Sequence, residues 1–313
     1  MSRTLILLLS VVLLVACQSS EQEVEDMHAV YYWRTELRLD STERTFLAQH
    51  HINKVYCRYF DVVMGAPSGK PEPTPNATMT FADSLPPDVE LIPTVYITED
   101  CMHEPHPGLA EKVVKRIVQM NETNGIHGVR EIQIDCDYTA RSRQNYYQFL
   151  KDVHSSLVTH HSSLDTHHSS LDTHHSSLVT HHSSLLSTTI RLHQLAMPAP
   201  PVDYGVLMLY NTGDPRQFDE KNPVLDYRDV HPYLKRLGDY PLPLAAAYPV
   251  YQWVRNINGV RVEHTVEAAE ILRVKKAVEQ ERPALRKAII TYHLDKDNIL
   301  RYKPETYEAI YHH

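Results

Sequence analysis

The sequence has no G-x-G-x-x-G and no G-x-x-x-x-G-K-[ST] loop, so the usual cradle for nucleotide phosphates is missing. A G-x-S-x-G nucleophile elbow is missing too. Positive charge is in deficit: 31 Lys and Arg stand against 39 Asp and Glu, a formal net charge of −8, which argues against a nucleic-acid partner. Glycine is scarce at 9 of 313 residues, which excludes a collagen-like chain. Hydrophobic residues at 42% and charged residues at 22% exclude a wholly disordered chain and a polytopic membrane protein. Phenylalanine numbers only 5, whereas tyrosine reaches 19. Tyrosine joins an apolar ring to a polar tip, a combination suited to clefts and sugar-like ligands.

The longest apolar run, Leu5 to Val15, follows Arg3 and is too short to span a bilayer comfortably. Leu14-Val15-Ala16-Cys17 after it resembles a bacterial lipobox. The expectation is a signal peptide over 1–16, acylation of Cys17, a tether over 17–27, and a lipid anchor that holds the protein in the cell envelope. The acidic run after Cys17 resembles the surface-export signal of Bacteroidetes lipoproteins, which points to the outer membrane and surface exposure. Cys57, Cys101 and Cys136 are odd in number and cannot all pair within the chain. Cys57 and Cys136 sit in apolar, strand-like runs and read as buried thiols.

From His154 the heptad HSSL(V/D)TH repeats four times and a fifth begins, so that nine of the 21 histidines fall within residues 154–182. Removing four heptads joins the flanks as FLKDVHSSLLSTTIRLHQL, a helix end running into a strand. The repeat, 154–184, therefore reads as a low-complexity insertion in a helix-to-strand loop, tolerated because loop closure costs little more as loops lengthen. No metal site is expected in it, and no cofactor is expected anywhere in the chain.

Eight strand-like runs cover 29–35, 54–60, 90–97, 131–137, 188–195, 205–211, 243–251 and 288–294. Helical patterns lie between several of them, at 42–51, 108–120, 141–153, 230–237 and 265–281; none is visible in the Pro- and Gly-rich 62–89. Alternating strands and helices over 28–313 predict a (β/α)8 TIM barrel, with an open doubly wound sheet as the rival. Along the fourth run Ile132, Ile134 and Cys136 should face the helices, while Gln133, Asp135 and Asp137 point inward. The same parity on the fifth sends Thr189, Arg191 and His193 inward. Two neighbouring strands then aim two carboxylates, a guanidinium and an imidazole at one interior, where they should pair.

Ile132–Thr139, IQIDCDYT, resembles the D-x-x-D-x-D-x-E strand of family-18 glycosidases, the chitinase-like barrels. Asp135 and Asp137 match its second and third acidic positions. Met208-Leu209-Tyr210-Asn211 resembles that family's M-x-Y-D segment. The chain is also similar to a bacterial family of unknown function with chitinase-like barrels, in which an I-Q-x-D-x-D strand precedes a Tyr-rich helix. The resemblance implies a carbohydrate ligand or substrate, with Asp135 and Asp137 as the catalytic carboxylates. Arg34, Arg58, Glu99, Arg191, His193, Tyr210 and Asn211 are the candidate substrate-binding residues.

One departure matters for chemistry. Thr139 stands where the family's general-acid Glu would be, and a threonine hydroxyl cannot serve as a general acid near neutrality. Asp61, Glu99, Asp100, Asp214 and Asp295, each after a strand, are the alternatives for an ordinary two-carboxylate mechanism. Two expectations stand: a glycoside hydrolase with a replaced acid, or a glycan-binding or structural envelope lipoprotein on a degenerate glycosidase barrel.

Overall fold

Runs rich in β-branched, aromatic and small residues form eight parallel strands in the computed structural model, which describes residues 24–165, 184–213, 222–257 and 260–312. The strands are β1 (Met27–Tyr32), β2 (Lys54–Gly65), β3 (Glu90–Ile97), β4 (Glu131–Asp135), β5 (Leu185–Ile190), β6 (Tyr204–Met208), β7 (Leu244–Pro249) and β8 (Ala288–Tyr292). Each pairs with the next in sequence, and β1 pairs with both β2 and β8, at Ala29↔Lys54 and Met27↔Ala288. The sheet is therefore a closed barrel, and the open doubly wound alternative is excluded. Gly205 on β6 allows the tight approach of its neighbours: a Cβ there would lie 2.7 Å from Cγ1 of Ile190.

Helices α1 (Ser41–Gln49), α2 (Leu109–Thr123), α3 (Arg143–Asp165), α4 (Leu234–Asp239), α5 (Ala268–Glu281) and α6 (Pro304–Tyr311) lie between and after the strands. α1 starts at a capping box. The Asp40 carboxylate accepts from the Glu43 amide at 2.9 Å, and the Glu43 carboxylate accepts from the Asp40 amide at 3.0 Å. As expected from 62–89, no helix joins β2 to β3. An arm at Glu72–Asn76 instead pairs antiparallel with the extended end of β2. Pro73 and Pro75 lack an amide donor and are tolerated there because the arm is an edge.

Two expectations of the sequence are corrected. The helix placed at 141–153 runs on to Asp165, so the repeat begins as helix rather than as loop. Tyr146, Leu150, Val153 and Leu157 form one buried stripe, with Leu157 only 5% exposed. Seven residues are close to two helical turns, so the leucine of the first heptad falls on the same face as Leu150. The rest of the repeat, from 166 to 183, lies outside the described residues, as do 1–23 with Cys17. The fifth strand also ends sooner than expected, at Ile190 rather than 195. The Gln194 side chain accepts from the Arg191 amide at 2.7 Å and starts a 3-10 turn at Leu192–Ala196. Cys57, Cys101 and Cys136 are buried free thiols.

The barrel axis is polar, and β4 supplies most of it. Glu131, fully buried at the amino-terminal end, accepts from Lys54 Nζ at 3.0 Å, from Ser187 Oγ at 2.6 Å and from the hydroxyls of Tyr56 and Tyr204. One level up, Tyr31 donates to Gln133 at 2.9 Å. Lys54→Met would leave Glu131 charged without its cation and should cost about 3 kcal/mol. Adding Glu131→Gln should recover much of that loss; urea denaturation of the single and double variants measures both.

Candidate functional site

At the carboxyl ends of the strands, where barrel enzymes place their chemistry, β4 and β5 bring the expected groups together. Asp135, 3% exposed, accepts a 2.6 Å hydrogen bond from the Thr189 hydroxyl. Arg191 donates through Nε to Asp137, whose side chain is 46% exposed at the mouth. Arg191 does pair with one of the two inward carboxylates, as expected, and that partner is the outer one. The early end of β5 accounts for this: with its amide pinned by Gln194, Arg191 sits at the strand's exit, level with Asp137.

Burial pushes Asp135 up to about 6; the Arg191 guanidinium opposes that rise and the Asp137 carboxylate adds to it. Burial works against the charge on Arg191, yet Asp137 and Asp135 keep its pKa above the ordinary arginine value.

Asp137, Arg191, His193, Tyr210 and Asn211 share the lining of one cavity of about 390 Å³. His193 reaches its rim from the 3-10 turn and is exposed, not inward on a strand as expected. Tyr210 is 3% exposed, and its buried hydroxyl has no hydrogen-bond partner; Nη1 of Arg191 is likewise buried and unpartnered. The Arg191 guanidinium lies 5.7 Å from the Tyr210 ring centre. Asn211 adopts a left-handed backbone conformation, φ 53°, and accepts from the Tyr251 hydroxyl. A neighbouring cavity of about 370 Å³ shares Asn211 and adds Tyr251, Trp253 and Tyr292.

The rings are continuous across the mouth. Tyr292 stacks on Tyr210 with centroids 4.6 Å apart, and also meets Tyr251 at 5.3 Å, Tyr31 at 5.6 Å and Trp33 at 5.7 Å. Trp33, Trp253, Tyr210 and Tyr251 stand out in the sequence as strand-end aromatics. Tyr31 and Tyr292 do not, although Tyr31 has the same parity as Trp33. Tyr248, also at a strand end, is fully buried, and the nearby Glu279 of α5 places it on the helix side of the barrel.

The remaining candidates are placed as follows. Arg34 does not join the cluster: it donates to Glu43 of the α1 capping box at 2.7 Å, with Asp295 at 3.9 Å. Arg58 is engaged by Asp61 through two hydrogen bonds and lies 5.6 Å from the Trp33 ring centre. Glu99 accepts from the Thr139 hydroxyl at 2.6 Å and from Ser142 at 2.9 Å. A carboxylate thus does stand beside the position where the motif would have Glu. Partial burial alone would raise its pKa, but the Thr139 and Ser142 hydrogen bonds hold it below the ordinary carboxylate value. An ionised carboxylate cannot donate a proton to a leaving oxygen. Asp100 accepts from Thr98, and Asp295 caps the short helix Lys296–Ile299. Asp214 lies outside the described residues.

A larger groove of about 690 Å³ runs beside α2 and α3, lined by Glu104, His106, Arg143 and Gln148 among others, and holds none of the inward carboxylates.

No family model and no curated protein sequence matches this chain. Solved structures do. A class V chitinase mutant from tobacco (Nicotiana tobaccum), in complex with NAG4, superposes with a TM-score of 0.54 at 10% identity, over 92% of this chain and 99% of that one. A chitinase from Bacteroides thetaiotaomicron gives 0.55 at 10%, over 92% and 96%. Human YKL-39, described as a pseudo-chitinase with retained chitooligosaccharide binding properties, gives 0.52 at 6%, over 92% and 98%. The fold is therefore that of the family-18 chitinase TIM barrels.

The raised pKa of Asp135 sets a direction for pH dependence. The folded protein binds this proton more tightly than the unfolded chain. Asp135 therefore costs no stability below the unfolded carboxylate pKa near 4, and the cost grows until pH passes about 6. Asp135→Asn should gain stability relative to wild type by roughly 2–3 kcal/mol between pH 4 and pH 7, because each pKa unit is worth about 1.4 kcal/mol. Chemical denaturation of both proteins across that range measures the difference; a constant offset would place the ionised form of Asp135 at no disadvantage.

Proposed function

We propose that this protein binds carbohydrate of the chitooligosaccharide class at the carboxyl-terminal mouth of its barrel and does not hydrolyse it. The observation that carries this reading is the unsatisfied hydroxyl of Tyr210, buried beside Asp137 and Arg191 on a floor of aromatic rings. Such a hydroxyl awaits a partner, and the hydrogen-bonding groups of a sugar would supply one. The flat, CH-rich faces of a pyranose suit the neighbouring rings.

The absence of hydrolysis rests on the acids. Thr139 offers no titratable proton, Glu99 is held ionised, and Asp135 is buried against Thr189. Asp135 is better fitted to orient Asp137 than to reach a leaving group. Human YKL-39, the pseudo-chitinase among the structural neighbours, retains chitooligosaccharide binding. Asp137, Arg191, Tyr210 and Asn211 are the proposed contacts, with Glu99 and His193 at the rim.

We further propose that the chain is a lipoprotein tethered to the cell envelope through Cys17, on the lipobox-like Leu14–Cys17. The tether would hold the binding mouth outside the membrane. Among the described residues no helix is long and apolar enough to cross a membrane.

Tyr210→Phe tests the binding reading. In the free protein it removes an unsatisfied polar group, so the melting temperature should hold or rise. Titration with chitotetraose should nevertheless weaken about three- to tenfold, the worth of one hydrogen bond. Wild type should bind chitotetraose and release no shorter product over a day; product formation would make it an enzyme, and no binding would remove the carbohydrate reading.

The anchor has its own test. Cys17→Ser should abolish labelling of the membrane fraction by a fatty-acid analogue, and unchanged labelling would refute the lipoprotein reading.

A further inference from the structure

At the opposite, amino-terminal end of the barrel, histidines gather around the last helix. His50 caps the end of α1, while Glu308 lies within α6 and His312 follows it. Glu308 and His312 are four residues apart, the spacing that puts two side chains on one helical face. His50 is 2% exposed, and its Nδ1 is buried with no hydrogen-bond partner. That nitrogen faces a Glu308 carboxylate oxygen at 3.8 Å, and the other oxygen of Glu308 lies 3.8 Å from His312 Nε2. Both gaps are too long for hydrogen bonds. The three ligand atoms all lie within 4.8 Å of one another.

We propose that His50, Glu308 and His312 form a structural binding site for a divalent transition-metal ion of the zinc type. Two imidazoles and a carboxylate are the donor set that zinc accepts. Ligands at ~2.0–2.1 Å from a tetrahedral zinc stand ~3.3 Å apart, so ligand atoms now within 4.8 Å of one another would draw in by up to about 1.5 Å. The buried, unpartnered Nδ1 of His50 gives the site one fixed donor, held in a ring cluster by Phe46 at 4.6 Å and Tyr311 at 5.5 Å. Glu308 and His312 are partly exposed and free to adjust around it.

The rest of the coordination sphere is open to water on that side. His28, at the start of β1, has its ring 5.0 Å from that of His312 and its Nδ1 2.9 Å from the His50 carbonyl oxygen, so it borders the site. The ion would clip the last helix to the first one, across the end of the barrel where residues serve stability rather than chemistry. It would join two segments more than 250 residues apart without touching the sugar-binding mouth.

The nine histidines of the repeat could bind metal on their own account, so the test must separate them from this site. Zn²⁺ is titrated into EDTA-treated full-length wild type, Glu308→Gln, His312→Ala and a variant with the repeat histidines changed to asparagine. Melting temperature and bound metal after dialysis are both read. Glu308 and His312 are exposed enough that their variants should melt like wild type without metal.

The expected result is a rise of several degrees for wild type and for the repeat variant, because an ion that binds only the folded state stabilises it. Glu308→Gln and His312→Ala should lose that rise and hold one zinc fewer, their affinity falling by about 100-fold or more. A rise that persists in both of these variants, a rise that disappears with the repeat histidines, or no rise in wild type would each overturn the site.

Discussion

Every polar side chain that β4 turns into the barrel must find a partner there, because the strand is buried and water cannot satisfy it. Glu131, Gln133 and Asp135 form three levels of this column, and their partners come from different strands. Lys54 and Tyr56 come from β2, Tyr31 from β1, Ser187 and Thr189 from β5, and Tyr204 from β6. The column therefore ties these strands to one another and adds to the register that burial of their faces already specifies. It also carries the functional consequence. With Asp135 bound to Thr189, the next residue of the same parity, Asp137, emerges at the mouth already oriented, and Arg191 closes on it from β5.

Much of this was legible before any coordinates, because alternation in a strand is a property of covalent geometry. All eight barrel strands overlap the apolar or alternating runs, the fifth only over 188–190, and the inward parity of Gln133, Asp135 and Asp137 follows from Ile132 and Ile134. The errors arose where a local side-chain contact overrode the period. Gln194 captures the Arg191 amide and ends β5, so His193 never points inward. Arg34 is drawn away by Glu43, although the D-x-x-E spacing of Asp40 and Glu43 is itself a visible helix-start signal. The first heptad of the repeat extends α3 because its leucine keeps the helical stripe, a periodicity hidden behind the more obvious repeat.

Other features had no local signal. Glu131 shares the parity of Asp135, but only the closed barrel shows that four donors converge on it. Tyr292 lies in an unremarkable apolar strand and becomes the centre of the aromatic floor because β8 closes next to β1. His50 and Glu308 are 258 residues apart in sequence, and only the ring closure of the barrel brings α6 back against α1.

The electrostatics of the mouth argue for recognition over bond cleavage. A glycosidase needs one carboxyl protonated and one ionised within reach of the same glycosidic bond. Here the exposed carboxylate, Asp137, is paired with Arg191, and the buried one, Asp135, is enclosed against Thr189 and out of reach of the mouth. Glu99, the carboxylate nearest to Thr139, is tied into a hydroxyl network that favours its charge. Glu99 is thus held in the state that cannot donate a proton, and Asp135, whose proton burial favours, is enclosed against Thr189 and shut off from a leaving oxygen. What remains at the mouth is a paired carboxylate and guanidinium, the Asn211 side chain and a bank of rings, with the unsatisfied Tyr210 hydroxyl buried beside them. Such a surface offers directional donors and acceptors with little net charge. It fits a neutral oligosaccharide, whose binding depends on hydrogen-bond matching and ring stacking more than on Coulombic attraction.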